Sequence, residues 1–274
     1  MRELFFKLFQ RYPLGTDIEV VPFKLAHIVY LLLFAGAIVG GYFLLRNKSV
    51  EQKTKVMRIL VYYIVISYLA DFFVHEFGNA DFENGEWIGA GLNMDKLPFH
   101  ICTVLCPLAA FVQFNGFFKR FKEPVVVLSC LAPLMYLVYP SGIASGEPWC
   151  YTVVQAMVYH GVLLAWGILN LSLGLVKIDI KRCWHTGVLL VAITLWAKLG
   201  SILLEYNWFF LNEDALYIGL VENGVIPKWL LMVINPVVFF AASLAVYGIY
   251  HAATLGKSKE ANEAEAEEKV SELV

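Results

Sequence analysis

Charged residues are scarce in this sequence. Only 16% of its 274 residues are Asp, Glu, Lys or Arg, whereas 59% are hydrophobic and 15% are aromatic. A soluble globular domain carries about a quarter charged residues, so the composition excludes an ordinary soluble domain and indicates an integral membrane protein. The net charge of −2 provides no basic excess for binding nucleic acid.

A disulfide framework and a signal peptide are also missing. The chain has five cysteines, and all but Cys150 lie in or at the edge of apolar runs, which is not a disulfide pattern. The N-terminal stretch MRELFFKLFQRYPLGTD has a broken hydrophobic run and no small-residue cleavage site before the next span. Its Leu and Phe residues fall on one helical face, so we expect residues 1–20 to form an amphipathic helix at the membrane interface.

Charged residues enclose seven long apolar runs, and a bilayer-spanning helix needs about 20 mainly apolar residues. The runs are bounded by Lys24 and Arg46, Arg58 and about Phe77, Lys96 and Lys119, Glu123 and Glu147, Glu147 and Lys177, Arg182 and Glu205, and Lys228 and Lys257. We therefore expect an all-α fold with seven transmembrane helices in residues 21–255. An acidic polar tail, residues 256–274, follows them. No internal repeat indicates an inverted-repeat transporter.

Basic residues are distributed unequally between the two sides of these predicted spans. Fourteen Lys and Arg fall in the tail and the connections on its side, against six on the side of the N-terminus. By the positive-inside rule, the tail is expected to be cytoplasmic and the N-terminus outside.

Polar side chains occur at a similar depth in five of the spans. At 1.5 Å per residue, each lies about 9 to 12 Å below the predicted outer end of its helix. The five are Asp71, Thr103, His160, Lys198 and Asn235. Because polar groups inside a membrane are costly, they indicate a functional cavity in the outer half. The alternative is a structural network in which Asp71 pairs with Lys198 and the other groups hold the helices together.

The stretch DKLPFHICTVLCP places a histidine, a threonine and two cysteines in the third span. On a helical wheel, Thr103 lies about 60° from His100, whereas Cys102 and Cys106 lie about 200° and 240° away. This separation argues against a metal site, and it predicts packing roles for the cysteines. His160 lies level with Thr103 and Cys102, and a histidine beside a hydroxyl or thiol is the minimal base–nucleophile pair. Gly161 should allow a neighbouring helix to approach closely.

Three segments carry a resemblance to a known family. LPFHICTVLCPLAAF, QAMVYHGVLL and LEYNWFFL resemble, in order and spacing, motifs of the bacterial YwaF-like membrane proteins, over most of residues 20–250. That family is related to eukaryotic acyltransferases of ether phospholipids. More distantly, it is similar to the androgen-induced-gene hydrolases, which are intramembrane threonine hydrolases.

The resemblance implies a Thr or Cys nucleophile that works with a histidine on another span, the role of His160 here. The acyltransferase relatives have a cysteine directly before the span-three histidine. That position is Phe99 in this sequence, so Thr103 or Cys102 would have to replace it. The resemblance also implies a bacterial plasma membrane as the location.

Together these features predict an intramembrane enzyme that transfers acyl groups or hydrolyses esters of a membrane phospholipid or lipid ester, without metal or cofactor. The predicted catalytic residues are His160, Thr103, Cys102 and His100. The predicted substrate-binding residues are Asp71, Lys198, Asn235, Asn207 and Gln155.

The alternative function is a transporter or a small-molecule or lipid receptor that uses the same polar layer. A haem protein with His100 and His160 as ligands ranks last, because His100 lies only about 6 Å below Lys96. The oligomeric state stays open.

Overall fold

The structure, a computed structural model, describes residues 22–78, 94–140, 148–206, 208, 225 and 227–271. Within these ranges the chain forms seven α-helices and no β-strand, which confirms the expected all-α class. The helices are α1 Leu25–Leu45, α2 Val50–Gly78, α3 Ile101–Phe114, α4 Lys122–Val138, α5 Tyr151–Ser172, α6 Trp184–Leu204 and α7 Leu231–Ser271. The predicted interfacial helix, residues 1–20, lies outside the described residues.

Five of the predicted spans are long and apolar enough to cross a membrane. Among the described residues these are Leu25–Leu45, Phe118–Val138, Tyr151–Ser172, Ile180–Leu204 and Leu231–Thr254. The helices of the other two predicted spans, α2 and α3, do not meet this description. The 29-residue α2 carries four charges in its first nine residues, and the 14-residue α3 is only about 21 Å long. A full set of seven spanning helices therefore stays a prediction.

The third helix begins later than the sequence suggested. The run from Lys96 was counted as helix, but Met94–Lys96 is a 3-10 turn and His100 is the extended residue before α3. Pro98 disfavours helical geometry in the residue before it, which explains the delayed start. The helix ends at Phe114, where Asn115 is again extended and is followed by Gly116.

The core lies between α4 and α5. Helix α5 packs against α1, α2 and α4, and α4 also contacts α3, α6 and α7. Gly167 of α5 allows the backbones of α4 and α5 to lie close together. A Cβ atom at this position would lie only 2.8 Å from the Ser129 backbone. All residues of α4 from Pro124 to Pro133 are buried. These two helices therefore form the scaffold on which the remaining helices are placed.

The starts of α1, α3 and α5 lie at one end of the bundle, which we call the site end. There His27 of α1 is fully buried, and its Nε2 lies 2.6 Å from the carbonyl oxygen of Leu137 near the end of α4. Tyr30 of α1 donates a hydrogen bond to the carbonyl of Pro148, just before α5. The opposite end, which we call the basic end, holds the connections after α1, α3 and α5.

Candidate functional site

His160 is held in a fixed orientation inside the bundle. Its Nδ1 lies 2.7 Å from the carbonyl oxygen of Ala156, one turn earlier in α5, so Nδ1 carries the proton that this carbonyl accepts. The neutral ring then has an unprotonated Nε2, which has no hydrogen-bond partner among the described residues. The Tyr136 ring stacks on the imidazole at 3.7 Å between centroids, and Tyr159 meets it edge-on at 5.1 Å.

The two residues on either side of His160 contact helices α1 and α3. The Phe34 ring of α1 lies directly over Gly161, where a Cβ would come within 2.4 Å of the ring, and this confirms the predicted close approach. The Tyr159 hydroxyl donates to the backbone carbonyl of Cys102, at 2.9 Å. The first turn of α3 is thereby joined to α5 at the residue before His160.

Thr103 is not poised to give its proton to His160. Its hydroxyl lies 2.9 Å from the carbonyl of His100 and 3.1 Å from that of Leu97, and it donates to these backbone acceptors. His100 itself is extended, with φ −77° and ψ 149°. The helical-wheel angle between His100 and Thr103 is therefore wrong, because the helix begins only after His100. Cys102 and Cys106 are both free thiols.

Asp71 forms its ion pair with Lys96, not with Lys198 as the sequence suggested. The Asp71 side chain is 3% exposed and that of Lys96 is 19% exposed. The Tyr68 hydroxyl donates to the Lys96 carbonyl at 2.6 Å, which fastens the 3-10 turn to α2. Lys96 and His100 both lie within electrostatic range of the His160 ring. The sequence gives no sign of this pairing, because a charge that bounds an apolar run is expected at the membrane surface.

An aromatic cluster fixes the segment before α3 to α6. The Phe99 ring lies 5.1 Å from that of Trp196 and 4.6 Å from that of Trp208. It covers Gly200, where a Cβ would come within 2.4 Å of the ring. Trp196 also donates its indole N–H to the Pro98 carbonyl at 2.6 Å. Phe99 therefore has a packing role between the segment before α3 and helix α6.

The structure places the other predicted substrate-binding residues that it describes in different parts of the bundle. Gln155 lies at the site end, where its amide N–H is 3.4 Å from the Ser67 hydroxyl oxygen. Lys198 lies on α6 and Asn235 is buried on α7, and both of these helices pack against α4, whereas α1 packs against α5. Asn207 lies outside the described residues. Their roles in binding a substrate stay predictions.

Long apolar helices, a polar cluster at one end and exposed basic residues at the other define a multi-pass integral membrane protein. Residues 22–247 match the model of the TMEM164 family. The chain therefore belongs to the TMEM164 family. No curated protein and no solved structure matches the sequence significantly.

Proposed function

We propose that the protein is an intramembrane lipid acyl-transfer or ester-hydrolysing enzyme with His160 as its general base. The observation that carries this proposal is the Nε2 atom of His160. Because Ala156 holds the proton on Nδ1, Nε2 is left as a neutral acceptor without a partner among the described residues. A general base needs such an unprotonated nitrogen within reach of the nucleophile.

Cys102 is the proposed nucleophile. The Thr103 proton is directed at two backbone carbonyls and would have to leave both before it could reach a base. Cys102 has a free thiol in the same turn. Its carbonyl is fixed by Tyr159, whose ring contacts His160. The resemblance to acyltransferases and hydrolases that use a Thr or Cys with a histidine supports the same pairing.

In the proposed reaction the Cys102 thiol gives its proton to His160 Nε2, and the thiolate attacks the ester carbonyl carbon. The ester C–O bond breaks, the acyl group stays on sulfur as a thioester, and the leaving alcohol takes the proton from His160. Water, or the hydroxyl of a lysophospholipid, then attacks the thioester, and the thiol is restored. Water as acceptor gives hydrolysis, and a lysolipid gives acyl transfer.

Lys96 is the proposed cation for the lipid head group. An ammonium group has three donors, and the ion pair with Asp71 leaves donors for a phosphate or ester oxygen. The Lys96 side chain is partly exposed, whereas Asp71 is buried. Asp71 therefore acts by positioning Lys96, and His100 lies in the same region. If the positive-inside rule holds, lipid enters from the outer leaflet.

The test uses purified full-length protein in lipid nanodiscs and a phospholipid with a labelled acyl chain. Mass spectrometry should detect an acyl adduct on Cys102 that hydroxylamine removes, and Cys102→Ala should abolish both the adduct and turnover. Cys183→Ala, which changes a free thiol at the basic end, should retain both. An adduct on Thr103 would reassign the nucleophile, and turnover by Cys102→Ala without any adduct would exclude a covalent cysteine mechanism.

The buried Asp71–Lys96 pair gives the transporter or receptor alternative its specific support, because ionisable pairs inside membranes also couple protons to transport. Proton-coupled uptake by reconstituted protein, together with an absence of ester turnover, would favour that alternative.

A further inference from the structure

Two connections at the basic end lie side by side. The first, residues 115–121, joins α3 to α4, and the second, residues 173–183, joins α5 to α6. They are linked where the backbone N–H of Asp179 donates to Glu123 Oε1 at 3.1 Å. We define the basic–aromatic face as residues 117–122 and 177–184.

The carboxylates of Asp179, within this face, and Glu123, beside it, both accept backbone N–H groups. Glu123 accepts the N–H of Asp179, and the Asp179 carboxylate accepts the N–H of Lys181 at 3.0 Å. The basic side chains, in contrast, are exposed and form no salt bridge among the described residues. Those exposed side chains are Lys119, Arg120, Lys177, Lys181 and Arg182. The face therefore presents an excess of positive charge.

Exposed apolar side chains stand between these charges. Phe117 is 63% exposed, and Phe121, Ile180 and Trp184 are exposed as well. The guanidinium of Arg120 lies 4.1 Å from the centroid of Phe117 and 4.9 Å from that of Phe121. A guanidinium that lies over aromatic rings can still donate hydrogen bonds from its N–H edge. A planar N–H edge suits the paired oxygens of a phosphate.

We infer that the basic–aromatic face binds the phosphate of an anionic membrane phospholipid. Aromatic rings partition to the boundary between acyl chains and head groups, and this boundary is where the ends of α4 and α6 place Phe121 and Trp184. Arg120, held on two such rings, then lies at the level of the phosphates. Clustered Lys and Arg beside a transmembrane helix recognise anionic lipid. The face lies at the end opposite His160, so the inference does not depend on the proposed activity.

Native mass spectrometry of the full chain in detergent tests this inference, with phosphatidylglycerol and phosphatidylcholine titrated separately. Wild-type protein should bind phosphatidylglycerol more tightly. Arg120→Gln should weaken that binding about fivefold, and Lys181→Gln with Arg182→Gln about 25-fold. Arg120→Lys should fall between wild type and Arg120→Gln, since it keeps the charge and loses the planar edge. Lys24→Gln, the same charge change at the site end, is the matched control.

Equal affinity for the two lipids would overturn the inference, as would an equal loss in Lys24→Gln and Arg120→Gln. Inorganic phosphate that displaces the lipid at equal concentration would show a site for free phosphate instead. The Glu-rich segment after Lys257 is the competing occupant. If phosphatidylglycerol binds only after residues 258–274 are removed, the face is covered by the protein's own tail and the inference is wrong.

Discussion

Asp71 of α2 and Lys96, in the 3-10 turn before α3, form an ion pair at the site end of the bundle. The pair joins two segments that are 25 positions apart in the chain. It also places a cation within electrostatic range of His160. Its consequences for stability and for the site can be measured directly.

A double-mutant cycle should show coupling between Asp71 and Lys96. Removing one partner of a buried ion pair leaves the other charge uncompensated, so Asp71→Asn and Lys96→Gln should each destabilise the protein, and together by less than their sum. We expect a coupling of about 1 to 3 kcal/mol in the free energy of unfolding in detergent. The matched cycle of Asp71→Asn with Lys198→Gln should give a coupling near zero. A larger coupling between Asp71 and Lys198 than between Asp71 and Lys96 would show that Asp71 pairs with Lys198.

Gly200→Ala should destabilise the protein through Phe99. The new Cβ would lie 2.4 Å from the Phe99 ring, which is also in contact with Trp196 and Trp208. Overpacking of this kind costs about 1 to 3 kcal/mol, seen as a lower thermal unfolding midpoint. Gly248→Ala is the control, since nothing lies within 4 Å of its added Cβ. An unchanged midpoint for Gly200→Ala would show that the Phe99 ring is not held there.

Tyr159→Phe should remove the hydrogen bond to the Cys102 carbonyl and keep the ring that contacts His160. The loss of one buried hydrogen bond costs about 1 kcal/mol or somewhat more. Turnover should fall further than stability alone explains, because the first turn of α3 is no longer fixed beside the base. Tyr62→Phe, on an exposed ring of α2, should change neither quantity. Equal turnover in both variants would contradict a positioning role for Tyr159.

Thr103→Val should show whether the Thr103 hydroxyl has a structural role or acts as the nucleophile. Valine preserves the shape and removes the donor to the carbonyls of Leu97 and His100. We expect a loss of about 1 kcal/mol in stability and retention of most lipid ester turnover. Thr103→Ser, which restores the donor, should recover the stability. Complete loss of turnover in a folded Thr103→Val protein would make Thr103 the nucleophile.

The apolar runs predicted most of the fold because burial in lipid requires long uncharged helices, and α1, α5 and α6 each fall inside one predicted run. The same reasoning predicted the close approach at Gly161, and the role of His160 stays a prediction. It could not find the Asp71–Lys96 pair, because the turn that brings Lys96 back onto α2 depends on tertiary contacts such as the Tyr68 hydrogen bond. It also missed His27, whose hydrogen bond to Leu137 spans 110 positions.

The sequence predicts the depth of the candidate site residues and not the direction of their hydrogen bonds. Depth along a helix predicts that Thr103 and Cys102 lie level with His160, and the Tyr159 hydrogen bond joins the Cys102 carbonyl to α5. Hydrogen-bond direction, however, is set by the local backbone. The start of α3 at Ile101 turns the Thr103 hydroxyl toward the carbonyls of the preceding segment. A helical wheel drawn for an unbroken helix from Lys96 does not predict this direction of the Thr103 hydroxyl.

The most direct test of the central claim is the rate of ester cleavage in a single turnover by His160→Ala, compared with wild type and with His185→Ala. His185 stacks near Trp184 at the basic end and serves as the matched histidine control. Loss of a general base lowers the rate by about 10² to 10⁴-fold, so His160→Ala should fall by that factor while His185→Ala stays near wild type. Wild-type cleavage by a folded His160→Ala protein would contradict the proposed mechanism.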